Sequence, residues 1–283
     1  MQLIDLNNGI GCHIDTYPDG EKHLVLDEID RKKAVVVKCS ITSGNDLFVL
    51  MQLGDILTRQ GVELNQLIIG YLMSARVDRV FDFNRPFSLK IVADVINSLN
   101  ASQVIIFDVH SRTAMRLIKN AISPLCSMVE FMHHFKEVGG VVAVMPDEGA
   151  AIRYQQMPSQ VQRLTCKKHR NPETGMIESV DFCEDIDPTT YKGKNLFVLD
   201  DLCDGGGTFI AIAPALRNLQ PNSLNLIVTH AIQQSGIERV AQVYDKVFIS
   251  DSYRNWHEVE LPENVVIFST GLYEIPEKTT IAP

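Results

Sequence analysis

The chain has 283 residues, 45% of them hydrophobic and 22% charged, with a formal net charge of −9. The length allows two domains of ordinary size and a substantial core. The negative charge argues against nucleic acid as a partner, because a phosphate backbone needs a basic surface.

No apolar stretch approaches a membrane span and no secretory signal opens the chain. Six scattered cysteines (12, 39, 126, 166, 183, 203) include no CxxC pair, which fits reduced thiols in a cytoplasmic protein. In chain order, the runs KAVVVKCS, QLIIGYLMS, QVIIFDVHS, GVVAVMPDEG, NLFVLDD, LNLIVTHA, KVFISDS and NVVIFST read as strands buried on both faces. Helical patterns lie between several of them, as in NDLFVLMQLGDILTRQG and PFSLKIVADVINSLN. Alternation of this kind predicts an α/β protein with mostly parallel sheets flanked by helices. The strands ending in FDVHS and VLDD resemble one another, so two similar domains are expected, 1–138 and 139–283, divided near Lys136–Gly140. The polar stretch CKKHRNPETGMIES reads as a mobile loop.

The segment NLFVLDDLCDGGGTF, residues 195–209, carries the chemistry. A buried strand stops at Asp200 and Asp201; Asp204 then runs into Gly205, Gly206, Gly207 and Thr208. Consecutive glycines let several N–H groups turn inward, and such a concavity before a helix attracts phosphate. Thr208 adds a hydroxyl and is expected to cap that helix; Pro214 should kink or delay it. Carboxylates beside a phosphate site make sense if they hold ribose hydroxyls or a divalent cation. A sugar phosphate meets both needs. A strand-to-helix turn with capping acids is the bland alternative. No GxxxxGK[ST] occurs, so this is not the usual nucleotide P-loop.

This segment resembles the ribose-binding loop of type I phosphoribosyltransferases and of ribose-phosphate pyrophosphokinases. Further resemblances, collinear from Tyr17 to Gly236, favour the pyrophosphokinase family. YPDGEKH is similar to that family's segment for adenine and ribose contacts across a subunit interface, which implies ATP contacts from Tyr17, Asp19 and Glu21 and a homo-oligomer, a dimer or hexamer. SARVDRVFDFNRPFSLKIVADVI resembles the family's ATP segment, with Arg76 and Asp78 matching, followed by Pro86, Ser88 and Lys90 at the start of a helix. Val77 stands where the family usually has Gln. IIFDVHS implies that His110 ligates Mg²⁺ or contacts the ATP phosphates, and MPDEGAAIRY implies Asp147 as a second metal ligand. TCKKHRNPE resembles the loop that closes over the reaction, with Lys167 as the catalytic lysine and His169 or Arg170 as its basic partner. IVTHAIQQSGIERV resembles a fold element rather than a chemical one.

The resemblance implies a Mg²⁺-dependent transfer of the diphosphoryl group of ATP to the anomeric hydroxyl of a ribose 5-phosphate unit. Asp200 and Asp201 would hold ribose hydroxyls, with Asp200 offered to a second metal. Asp204 to Thr208 would hold the 5-phosphate. One departure stands out: Gly205 replaces the family's first threonine, which reads either as neutral drift within an ordinary pyrophosphokinase or as compatible with a larger acceptor such as ADP-ribose in an NAD-related pathway. A phosphoribosyltransferase and a non-catalytic regulatory paralogue are the competing readings.

Overall fold

The computed structural model describes residues 1–137, 139–170 and 177–272. Strand β1 (Gln2–Asp5) is followed by the hairpin β2 (Cys12–Thr16) and β3 (Lys22–Leu26). Then come β4 (Val35–Ile41), helix α1 (Gly44–Gln60), β5 (Leu64–Leu72), α2 (Ser88–Ser98), β6 (Gln103–Ile106), α3 (Arg112–Leu117) and β7 (Ala121–Ile122). These build a parallel sheet in the order β1-β4-β5-β6-β7, while β2 and β3 pair antiparallel by themselves. The chain continues through α4 (Cys126–Glu137), β8 (Val141–Met145), α5 (Glu148–Arg153), β9 (Gln162–Arg170), β10 (Ile177–Phe182), β11 (Asn195–Cys203), α6 (Gly207–Arg217), β12 (Ser223–Ala231), α7 (Gln234–Ala241), β13 (Lys246–Ser250) and β14 (Val265–Phe268). The second sheet runs β10-β9-β8-β11-β12-β13-β14, parallel throughout except for β9 with β10. The α/β class with parallel sheets flanked by helices is as the sequence led us to expect.

The apolar runs explain themselves in the second sheet. Val142, Val144, Leu196 and Val198 pack into one core, and their alternating neighbours Val141, Ala143, Met145, Phe197 and Leu199 pack into another. Side chains alternate across a strand, so a strand covered on both faces must be apolar at every position. Helix α1 starts where a capping box allows it: Ser43 and Asp46 bond each other's backbone, and Gly61 closes the helix at φ 66°.

Three expectations change. The stretch read as a mobile loop is largely an antiparallel hairpin: Cys166–Arg170 extends β9, and β10 pairs back onto it. Its inner face, Cys166, Val180 and Phe182, packs on the core, while its outer face is charged, which hid the alternation. Residues 171–176 lie outside the described part. Helix α6 runs unbroken through Pro214 to Arg217, since the buried Phe209, Ile212, Ala213 and Leu216 offset the one backbone bond that proline cannot make. The N-cap of α6 is Gly206, and Thr208 sits inside the first turn rather than capping it.

The strand before His110 is also shorter than expected. β6 ends at Ile106, and Asp108 turns the chain at φ 37°. The fully buried Asp108 carboxylate accepts hydrogen bonds from Thr229 Oγ1 and from Ser127 N at 3.0 Å. His230 adds a second tie, with Nε2 3.1 Å from the Phe107 carbonyl and Nδ1 2.8 Å from Ser252 Oγ. These bonds fasten the tip of the first sheet onto the second and carry His110 toward β11.

Candidate functional site

The site forms where β11 leaves its sheet. Asp200 and Asp201 both lie in its last turns of strand and are largely buried. Buried carboxylates need a cation, and Arg153, in the last turn of α5, supplies it. Arg153 Nη1 donates to Asp200 Oδ1 at 2.7 Å, and Nη2 lies 2.8 Å from Asp201 Oδ1 and 3.0 Å from the His110 carbonyl. The other oxygen of Asp201, Oδ2, is 2.8 Å from His110 Nδ1. One guanidinium thus joins three separate chain segments.

The charges follow from this arrangement. Burial, then the neighbouring Asp201 charge, pushes Asp200 up to about 8. Burial also works against ionisation of Asp201, but Arg153 and His110 outweigh it and hold that carboxyl below the usual range. The hydrogen bond to Asp201 raises His110 against the opposing effect of burial. Asp200 Oδ2 and His110 Nε2 have no hydrogen-bond partner among the described residues. A cavity of ≈ 740 Å³ opens beside His110 and Arg153, walled by Met115, Leu125, Met128 and Ile152. That volume is of the size that small-molecule ligands occupy.

The glycine loop follows. Gly206 holds φ 76°, and a Cβ there would lie 2.7 Å from Val240 Cγ1. Gly236 of α7 is as tightly placed, since a Cβ on it would come within 1.9 Å of the Asp204 carbonyl oxygen. These two glycines let α7 press against the loop. Gly205 and Gly207 face open space: a Cβ on Gly205 would meet nothing nearer than Arg239 Nη1 at 4.0 Å. The unpaired amides of the first turn of α6 point out beside them. Gly236→Ala is expected to lower the melting temperature and to raise the KM for a phosphorylated acceptor by about tenfold, because even small displacements of positioning groups are costly. Thermal melts and acceptor titrations read both.

The other predicted residues divide. Asp204 sits at the foot of the loop with both oxygens engaged: Arg76 Nη1 at 3.0 Å and Gln233 Nε2 at 2.7 Å. Arg76, from the turn after β5, therefore reaches the loop from the first sheet, and Asp78 lies two residues further along that turn. Ser88 opens α2, as expected, with Pro86 just before it. Asp147 caps α5: Oδ1 accepts from Ala150 N at 2.9 Å, and Oδ2 pairs with Lys168 Nζ at 2.6 Å. Burial raises the Asp147 carboxyl, yet Lys168 and the Ala150 amide hold it lower than usual. Lys167 is exposed on the opposite side of β9, opposite Asp181 in the strand register. His169 pairs with Asp181 at 3.0 Å, and Arg170 is described only as the backbone end of β9. Tyr17, Asp19 and Glu21 lie exposed at the turn of the β2–β3 hairpin, which packs on α1, and they make no bond to the acid cluster among the described residues.

Sequence reasoning missed Arg153, Lys168, Gln233 and Arg239, the last donating to the Gly205 carbonyl at 2.9 Å. Arg153 stood inside a quoted motif, and the only signal for it was the need of two adjacent buried acids for a cation.

Comparisons with known proteins bear on the fold. Residues 150–263 match the model of the phosphoribosyl transferase domain. The chain is 28% identical over 248 residues to the ribose-phosphate pyrophosphokinase of Hyphomonas neptunium, covering 84% of this chain and 78% of that one. It is 25% identical over 247 residues to that of Pyrococcus abyssi, covering 87% and 85%. Phosphoribosylpyrophosphate synthetase from Mycobacterium smegmatis superposes with a TM-score of 0.73 at 20% identity, over 91% of this chain and 85% of that one. The acid-and-glycine loop lies inside the stretch that is similar to the phosphoribosyl transferase domain. Over most of its length the chain is similar to ribose-phosphate pyrophosphokinases. No helix among the described residues is long and apolar enough to cross a membrane.

Proposed function

We propose that the protein is a Mg²⁺-dependent pyrophosphokinase that moves the β,γ-diphosphoryl group of ATP to the anomeric hydroxyl of ribose 5-phosphate. The observation that carries this reading is a contact between the two sheets. Arg76, from the first sheet, touches Asp204 at the foot of the glycine loop on the second. Nothing in a simple ribose-phosphate binder calls for that second cation.

In the reaction, the acceptor's C1 oxygen bonds to the β-phosphorus, the bond from that phosphorus to the α,β-bridging oxygen breaks, and AMP leaves with that oxygen. The hydroxyl proton passes to solvent. Transfers of this kind are accelerated by positioning and charge stabilisation. The amides of Gly205 to Thr208, with Arg239, hold the 5-phosphate. Asp200 holds a ribose hydroxyl, and Arg76 holds the ATP phosphates. Lys168 exchanges Asp147 for the transferring phosphoryl group.

Mg²⁺ favours oxygen ligands and keeps substrate and water oxygens in its shell. The open Asp200 Oδ2 and His110 Nε2, both on residues bonded to Arg153, fit such a sparse site. Asp147 fits less well, being paired by Lys168 and by the end of α5. Among the described residues no group of three or more His, Cys, Asp or Glu forms a metal cage. Held there by Asp200 and His110, Mg²⁺ would supply charge stabilisation to the phosphoryl oxygens.

In this reading residues 1–138 form the ATP side and 139–283 the ribose-phosphate side. Tyr17, Asp19 and Glu21, exposed and apart from the acid cluster, serve the ATP site of a neighbouring copy in a homo-oligomer.

A second acceptor is favoured by one observation, the open space at Gly205. A threonine there would offer a donor to a terminal phosphate; glycine leaves room for the substituent of a phosphodiester, as in ADP-ribose. Purified protein with ATP and Mg²⁺, given each acceptor in turn, decides between them. AMP release with ribose 5-phosphate and none with ADP-ribose supports the first reading. The reverse result assigns the diester.

A further inference from the structure

The two strand-end acids are not equivalent. Asp201 is 2% exposed, and both its oxygens are occupied, Oδ1 by Arg153 and Oδ2 by His110 Nδ1. Asp200 is more open, and its Oδ2 is not engaged among the described residues. A ribose hydroxyl can reach Asp200 Oδ2 without displacing Arg153, which is bonded to Oδ1. To reach Asp201 it would have to displace a buried guanidinium or an imidazole.

We propose that Asp201 is a positioning residue for His110, held by Arg153, and that Asp200 alone of the pair meets the ribose. The geometry supports each part. An imidazole nitrogen 2.8 Å from a buried carboxylate is held as the N–H donor, which in the neutral ring leaves Nε2 as the unprotonated atom. Free histidine has no such bias, and its ring is free to turn. Arg153 also grips the His110 carbonyl at 3.0 Å, so both the backbone and the ring of this residue are fixed from one guanidinium. The whole bracket is built on rigid parts, the end of β11 and the last turn of α5, whereas His110 lies on an irregular segment beyond β6. The bracket converts that segment into an oriented ligand for phosphate or metal.

This inference rests on the proposed reaction only for its kinetic arm; its spectroscopic arm does not need the reaction at all. In ¹⁵N-resolved spectra of the ligand-free wild type, above the His110 titration, the imidazole is expected to carry its proton on Nδ1. Asp201→Asn should move the proton to Nε2 in a large fraction of molecules, while Asp200→Asn should leave it on Nδ1. In turnover assays Asp201→Asn should lower kcat by roughly 10–100-fold, the usual effect of losing a group that orients a ligand. Its acceptor KM should stay within about threefold, whereas Asp200→Asn should raise that KM by about tenfold or more. Arg153→Lys, which keeps the charge, should retain more kcat than Arg153→Gln. If wild-type His110 carries its proton on Nε2, the proposal is overturned. If both asparagine variants raise the acceptor KM equally, Asp201 is a ribose ligand and the proposal is again overturned. Should Asp201→Asn not fold, the wild-type tautomer decides by itself.

Discussion

Lys168→Ala is expected to lower turnover by on the order of 10²–10³-fold, the usual loss when a preorganised cation or donor is removed from a transferring group. Lys167→Ala should stay within about threefold of the wild type. The two lysines are neighbours, and only the strand's alternation separates them. Lys167 faces solvent; Lys168 is nine-tenths buried, and its ammonium lies 2.6 Å from Asp147, the N-cap of the helix that ends in Arg153. The carboxylate gives Lys168 a resting partner within reach of the site. Steady-state AMP formation at saturating ATP and acceptor compares the variants. A large loss in Lys167→Ala with little in Lys168→Ala would return the role to the residue favoured by motif alignment. Parallel binding measurements with ATP should show a much smaller change than kcat, since an interaction used mainly in the transition state contributes little to ground-state affinity.

Arg153→Met is expected to be the most destabilising single change in the site. Breaking a buried ion pair by removing one partner costs about 3–5 kcal/mol, because the charge left behind is uncompensated. For a chain of this size that is roughly 6–15 °C in melting temperature. Asp200 and Asp201 would both lose the attraction that now opposes their burial. Asp200, already above its unfolded value, would rise further, and Asp201, now held below it, would rise as well, so the folded variant would bind more protons than the folded wild type. Its stability should therefore increase relative to wild type as pH falls from about 7.5 toward 5.5. Asp200→Asn added to Arg153→Met should recover part of the loss at neutral pH. Calorimetry across that range checks both expectations. A variant as stable as wild type at every pH would mean that the guanidinium is not what neutralises the pair.

Much of the fold was legible because its signals are local. β4, β5, β8, β11, β12 and β13 are continuous apolar runs, and α1 announces itself through Ser43, Asp46 and Gly61. The acid-and-glycine loop was legible for the same reason: its residues are consecutive, and Gly206 does occupy the left-handed conformation that only glycine adopts easily. What escaped depended on three-dimensional partners. Arg153 is an ordinary arginine in a six-residue helix until β11 places two carboxylates beside it, 47 and 48 positions on. Lys167 and Lys168 differ by one residue, and a shift of one reverses the face of a strand. The hairpin of β9 and β10 was hidden by charges on its outer side. Asp108 read as one more strand-end acid, although its bonds to Thr229 and Ser127 join the two sheets. Gly236 is the position at which a methyl group would strike the loop, a contact that only the packing of α7 creates.

The central claim concerns which bond of ATP is cut and what receives the fragment. The most direct measurement is ³¹P NMR of the purified protein with ATP, Mg²⁺ and ribose 5-phosphate, with a matched sample lacking the acceptor. The account predicts a diphosphate ester on the sugar and an equal amount of AMP, both absent when the acceptor is omitted. Release of ADP or orthophosphate without AMP, or AMP formed equally with no acceptor of either kind present, would contradict it.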